Sequence, residues 1–233
     1  MRQRPAFRSQ WSFSSVWSKT HPPLPDTPWL RMALARGTAV HEWAERLDQG
    51  GDRTPLPDYR GYCQAYLACC EAIEPIWEEI EQPYDNGDWH GIPDRIGRLH
   101  GHDQLVIADL KTGAGRGRDT QLRVAIQLAC YAMLRSPDSY EQALRVALFL
   151  EKSGQWRAVT YTDTKDFLRW RYLLTEAHNG NKIETDPETT PEQTGQNDRP
   201  GANANDHDAG DLPTSVSCPA RSPDAAEDDH RPL

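Results

Sequence analysis

The residues best suited to chemistry lie at the end of an apolar run, Leu105-Val106-Ile107-Ala108-Asp109-Leu110-Lys111-Thr112-Gly113. Leu105 to Ala108 has the composition of a buried strand, and a carboxylate and an ammonium follow where burial is most costly. Strand side chains alternate between faces, so Asp109 and Lys111 share one face and Leu110 takes the other. A carboxylate beside a lysine at a strand end suits a metal site with an adjacent cation. The plain alternative is an exposed ion pair at a strand terminus.

Other residues decide between these readings. Glu81 and Asp94 precede the run on neighbouring extended segments, and His41 lies four residues after Gly37 on one helix face. Carboxylate oxygens with one imidazole nitrogen suit Mg²⁺, with Mn²⁺ as an alternative, because both ions favour oxygen-rich sites. Such an ion acidifies a bound water and neutralises charge building on a phosphate. Lys111 is placed to orient that water or to stabilise the developing charge. The set is a minimal phosphodiester hydrolase.

The elements that must position these groups follow from patterning. Pro28 to about Gln49 reads as a helix with Thr27 as N-cap and Pro28 in its first position. Leu30, Leu34, Ala35, Val40 and Leu47 give it a partial apolar stripe, and Gly37 would let another backbone approach closely. Asp58 to about Glu79 reads as a second amphipathic helix, kinked at Pro75. A three-strand meander is expected next, bearing Glu81, Asp94 and Asp109. Its strands are Ile80–Tyr84, Trp89–Leu99 and the Leu105 run, with a turn at Asp85-Asn86-Gly87-Asp88. Pro93 implies a bulge or an edge in the middle strand.

Ala114 to Arg118 is expected to be a mobile Gly/Arg loop, followed by a helix from Asp119 to about Leu134 with Asp119 or Thr120 as N-cap. Leu122, Ile126, Ala129, Cys130 and Met133 form its stripe, with Gln127 and Tyr131 beside it at i, i+4. Strands Leu144–Leu150 and Trp156–Thr162 and a helix Asp166–Ala177 complete the domain. Arg116, Arg118 and Arg123 follow the Asp109 strand and could grip phosphates; a solvated loop is the competing reading.

The chain of 233 residues divides into an N-terminal arm (1–27), a central domain (28–178) and a tail (179–233). The arm mixes Arg2, Arg4 and Arg8 with Trp11, Phe13 and Trp17; packing of the rings on the core is favoured over holding a nucleic-acid strand. The net charge of −9 is concentrated at the end, where residues 181–233 carry 12 acidic and 4 basic side chains. The tail cannot offset its own ordering entropy and is expected to be disordered. The rest is near neutral, so net charge excludes no partner. Cys63, Cys69, Cys70, Cys130 and Cys218 form no CxxC pair, which argues against disulfide and zinc frameworks and suits a reducing cytoplasm. No apolar run is long enough to span a membrane and no apolar segment follows the basic start, so neither a membrane partner nor a signal peptide is expected.

The series Gly37-x-x-x-His41, Glu81, Gly91-Ile92-Pro93-Asp94, Asp109-Leu110-Lys111-Thr112-Gly113, Gln127-x-x-x-Tyr131 resembles the PD-(D/E)XK nuclease superfamily. Within it, the likeness is to the RecB-type branch that includes viral recombination exonucleases. The resemblance implies an α/β restriction-endonuclease-like core, a central mixed sheet flanked by helices. It implies that His41, Asp94, Asp109 and the Leu110 carbonyl bind the metal, that Lys111 is the catalytic lysine and that Glu81 is an accessory acid. Gln127 and Tyr131 would support the lysine or contact DNA. The partners it allows are DNA with free ends, a recombinase or single-strand annealing protein, and further copies of the chain. The cysteine spacing departs from that of relatives holding a four-iron cluster, so no cluster is expected. The sequence has no GxxxxGK[ST] phosphate loop, so no ATP site is expected. A non-catalytic nucleic-acid-binding module and a structure-specific or RNA-directed endonuclease remain as alternatives.

Overall fold

The computed structural model describes residues 6–184 and 215–216. Helix α1, Phe13–Thr20, opens with a capping box between Ser12 and Ser15. Helix α2 spans Pro28–Asp48, and its N-cap Thr27 accepts from the Leu30 N–H with Pro28 at the start, as the sequence predicts. Helix α3 covers Arg60–Ile73. The expected continuation of α3 to Glu79 is corrected: Pro75 ends the helix rather than kinking it. Glu74 turns into the left-handed region (φ 43°) as the C-cap, and Pro75–Ile80 becomes strand β1.

That shift displaces the expected meander. The short strands β2 (Tyr84–Asp85) and β3 (His90–Gly91) form their own hairpin around the expected turn. The predicted single strand Trp89–Leu99 is broken at Pro93-Asp94 and resumes only as β4, Arg95–Leu99. Proline cannot donate to a ladder, which accounts for the break. Strand β5 covers Val106–Thr112 and helix α4 Arg118–Arg135. Gly117 is the N-cap of α4, so Asp119 and Thr120 lie inside its first turn. Strands β6 (Leu144–Leu150) and β7 (Trp156–Tyr161) follow, and helix α5 runs over Lys165–Glu184, past the expected end at Ala177. Strand β8, Ser215–Val216, pairs with β7. The remainder of the tail expected to be disordered lies outside the described residues, as do Arg2 and Arg4.

The five longer strands form a mixed sheet in the order β1-β4-β5-β6-β7, extended at its β7 edge by β8. Only β5 and β6 run parallel, which requires the crossover through α4. Helices cover both faces. Val106, Ala108 and Leu110 pack with α2 and α3 residues such as Val40, Trp43 and Tyr66. Ile107 faces the other layer, where α4 packs with Phe13, Val16 and Trp170 of α1 and α5. The arm's Trp11, Phe13 and Val16 are buried there, in line with the packing reading. The α4 stripe is wider than predicted: Val124 to Leu134 is buried apart from Gln127, while Leu122 is exposed. A central helix between sheet and outer helices is covered on most sides. This is the restriction-endonuclease-like α/β arrangement. Among the described residues no helix is long and apolar enough to cross a membrane.

Candidate metal and phosphodiester site

The geometry of the site starts from where β4 stops. Antiparallel pairing of β4 with β5 covers Gly97↔Val106, Ile96↔Ile107 and Arg95↔Ala108 and goes no further. Backbone groups of β5 beyond Ala108 must find other partners or remain unsatisfied. At Leu110 the partners are side chains: its N–H donates to Asp94 Oδ2 at 2.6 Å, and its C=O lies 2.9 Å from His41 Nε2. A carbonyl can only accept, so His41 Nε2 carries a proton in this arrangement. The break at Pro93-Asp94 thus turns the Asp94 carboxylate back onto the β5 ladder.

Glu81 joins them through the backbone. Its N–H donates to the Asp94 carbonyl at 3.1 Å, and its φ of 50° is a left-handed conformation unusual for a non-glycine residue. A register shift between Trp77 and Glu79 sets which acid reaches the site. Glu78 pairs with Arg98 and Glu79 with Arg135, leaving Glu81 inward. His41, Glu81 and Asp94 offer ligand atoms that all lie within 4.8 Å of one another.

On the sheet's other side, Asp109 and Lys111 face α4. Lys111 Nζ lies 2.5 Å from Asp109 Oδ2, off the direction of a hydrogen bond, and donates to Gln127 Oε1 at 3.2 Å. Gln127 Nε2 in turn donates to Tyr131 Oη at 3.0 Å. Tyr131 fits because residue 91 is glycine: a Cβ there would stand 2.7 Å from the Tyr131 ring. Gly37 has no such duty, since a Cβ on it would meet only Thr112 Oγ1 at 3.8 Å, so the expected close backbone approach is absent.

The buried charges perturb one another. Burial opposes protonation of His41, but Asp94 and Asp109 outweigh it and raise its pKa to about 9. Burial also works against the Asp94 carboxylate, yet His41, Lys111 and the Leu110 N–H bring it down to about 2. Asp109 is raised to about 6, mainly by burial, with Lys111 opposing and Asp94 adding to the rise. Burial and then Asp94 raise Glu81 to about 7 against the pull of His41 and Arg95. Burial, the first cause of the rise at both Asp109 and Glu81, disfavours their charged forms, and a bound cation would favour them.

The donor set fits a divalent ion. Carboxylates, a backbone carbonyl and one imidazole match an oxygen-preferring metal. The ligand atoms of His41, Glu81 and Asp94 all lie within 4.8 Å of one another, close enough to share one ion with bonds of about 2.1 Å once His41 gives up the proton that it donates to the Leu110 carbonyl.

Of the remaining candidates, Arg116 pairs with Glu151, Arg123 lies over the Trp17 ring and Arg118 is exposed at the start of α4. In the loop after β5, Arg157 Nη2 donates to the Ala114 carbonyl at 2.7 Å, and Gln121 Nε2 donates to that of Gly115. Sequence reasoning missed Arg95. Its side chain is fully buried, contacts Asp48 Oδ2 at 2.5 Å, donates to the Asp94 carbonyl at 2.7 Å and lies 3.6 Å from Glu81 Oε1. With Arg95 and Arg98 both in β4, Arg95-Ile96-Gly97-Arg98-Leu99, nothing local marks Arg95 as the buried one. Arg36 was also missed; it binds the Thr112 carbonyl and hydroxyl at the end of β5.

The family model for the PD-(D/E)XK nuclease superfamily matches residues 70–197. That range includes Glu81, Asp94, Asp109, Lys111, Gln127 and Tyr131, whereas His41 precedes it. No curated protein matches the chain.

Proposed function

The chain belongs to the PD-(D/E)XK nuclease superfamily, and from that premise we propose a Mg²⁺-dependent deoxyribonuclease that degrades DNA from its ends in recombination, repair or phage DNA processing. Its nucleic-acid substrate follows from the family; the exonuclease assignment is supported by the RecB-like order of Gly37/His41, Asp94, Asp109/Lys111 and Gln127/Tyr131.

The observation that carries the reading is the meeting of two groups at the end of β5. His41, Glu81, Asp94 and the Leu110 carbonyl lie on one side, and Asp109, Lys111 and Gln127 on the other. In this reading His41, Asp94, Asp109 and the Leu110 carbonyl hold the ion, with Glu81 as a further acid. When bound, the ion acidifies a water and neutralises charge on the scissile phosphate. Lys111 orients the attacking water and stabilises charge on the phosphate oxygens. Gln127 holds the lysine head group, and Tyr131 fixes Gln127. Arg116, Arg118 and Arg123 contact phosphates around the cleft.

Incubation of end-labelled linear and covalently closed circular DNA with Mg²⁺, beside the Asp109→Ala protein, tests the proposal. Loss of nucleotides from linear DNA, with intact circles and an inert variant, is expected. Cut circles would make the protein an endonuclease. DNA binding without nucleotide release would make it a non-catalytic module.

A further inference from the structure

The start of α2 has the residues of a core helix without a core beneath it. The face that buries Val40 and Trp43 continues back at helical spacing through Arg36, Ala33 and Trp29. Arg36 is fastened to Thr112 at the end of β5, and beyond that clamp the first turns of α2 extend past the sheet. Trp29 is left 69% exposed and Leu34 63% exposed. Trp29, Leu30, Ala33 and Leu34 line a cavity of about 910 Å³ whose lining also includes His41, Glu81, Lys111 and Gln127. Trp29 and Ala33 of that face, with Leu30 and Leu34 from the adjacent face, therefore form a wall of the same cleft that contains the reacting groups.

The charge of this cleft limits what it can hold. Its lining cations are Arg36, Lys111 and Arg123, set against Glu42, Glu45 and Glu81. Arg36 is engaged by Thr112 and Lys111 by Asp109, which leaves Arg123, over the Trp17 ring, as the lining cation open to a phosphate. A duplex keeps its base faces stacked and offers phosphates, so it gains little from an indole wall and needs many available cations. A single strand offers unstacked bases, for which an exposed indole is a platform.

We propose that the wall formed by Trp29, Leu30, Ala33 and Leu34 stacks the bases of single-stranded DNA, so that the strand enters the cleft unpaired. This rests on the nuclease reading of the site. Blunt duplex ends must fray or be opened before Lys111 can act on them, whereas single strands and single-stranded overhangs enter directly.

The test measures equilibrium binding to the full-length Lys111→Ala protein with Mg²⁺, in which turnover is slowed by about 100- to 1,000-fold, at times too short for the residual cleavage. The probes are a short homopolymeric single strand, the same strand with abasic sites, and a blunt duplex of equal length. Adding Trp29→Ala should weaken single-strand binding by about 5- to 100-fold, with little change for the duplex, and Trp29→Phe should restore most of the loss. Abasic strands should bind as weakly to the parent as intact strands bind to the Trp29→Ala variant. Trp29 is exposed, so the variant should keep the parent's circular dichroism. Equal loss on strand and duplex, no loss on either, or equal binding of abasic and intact strands would overturn the proposal. Loss of self-association with unchanged DNA binding would assign the wall to a second copy and also overturn it. Trp29-dependent binding together with a wild-type protein that releases no nucleotides would instead defeat the nuclease reading, so the two failures are separable.

Discussion

Asp94 takes the place of a strand partner for Leu110: its carboxylate accepts the Leu110 N–H at 2.6 Å where β4 no longer pairs with β5. The ladder's missing hydrogen bond is thereby made by a group that can also ligate a cation. His41 does the same for the Leu110 carbonyl from α2. Structural satisfaction and ligand placement are one arrangement here, so perturbing it should affect fold and chemistry together, whereas truncating the partly exposed Lys111 should act mainly on chemistry.

Lys111 is half-buried and bound to Gln127 and Asp109. Lys111→Ala should lower turnover by about 100- to 1,000-fold, the range for loss of one preorganised charge donor, with the thermal midpoint little changed. Single-turnover cleavage and a melting curve on the same preparation check this, and undiminished activity would remove Lys111 from the mechanism.

Arg95 has no solvent-exposed side-chain surface and joins Asp48, the Asp94 carbonyl and Glu81. Arg95→Ala leaves Asp48 buried without its cation and should cost about 3–5 kcal/mol of stability, read from the shift in denaturant midpoint. A loss within a few tenths of a kcal/mol would show that the buried ion pair is dispensable.

Metal binding must compete with protons. His41, Glu81 and Asp109 have pKa values raised to about 9, 7 and 6, and to act as ligands in the proposed site each would have to be deprotonated. Divalent-ion affinity should therefore rise with pH across roughly 6 to 9, with proton release on binding. Calorimetry in two buffers of different ionisation heat measures that release, and a pH-independent affinity without proton release would contradict it.

Gly91 faces the Tyr131 ring so closely that a Cβ would stand 2.7 Å from it. Gly91→Ala should destabilise the protein by about 1–3 kcal/mol through overpacking and should reduce turnover by displacing Tyr131 from Gln127. If turnover falls while the denaturant midpoint does not move, the overpacking account is wrong.

Much of this was written locally. Asp109 and Lys111 share a strand face because side chains alternate, and Gln127 and Tyr131 are neighbours because a helix repeats near four residues. The helices of residues 28–48 and 118–135 and the strands at 144–150 and 156–161 are visible in hydrophobic period and capping residues for the same reason.

What depended on distant segments was not legible. Glu81 was named from the sequence, but not how it arrives: Pro75 ended α3 and released β1, and the Trp77/Glu79 irregularity then turned Glu81, rather than Glu78 or Glu79, to the site. Register and bulges are fixed by pairing across the sheet, which no local window contains. Arg95 was overlooked because its partner Asp48 comes from the end of another helix. Trp29 falls outside the stripe read from the sequence, and only the tertiary structure makes it part of an open wall. The sequence by itself determined which side chains could do the chemistry and in what order, because composition and short-range periodicity are local. The tertiary structure alone decided that β4 stops short of Leu110 and that two helical layers meet at the exposed end of β5, because those depend on which segments pair and where each pairing ends.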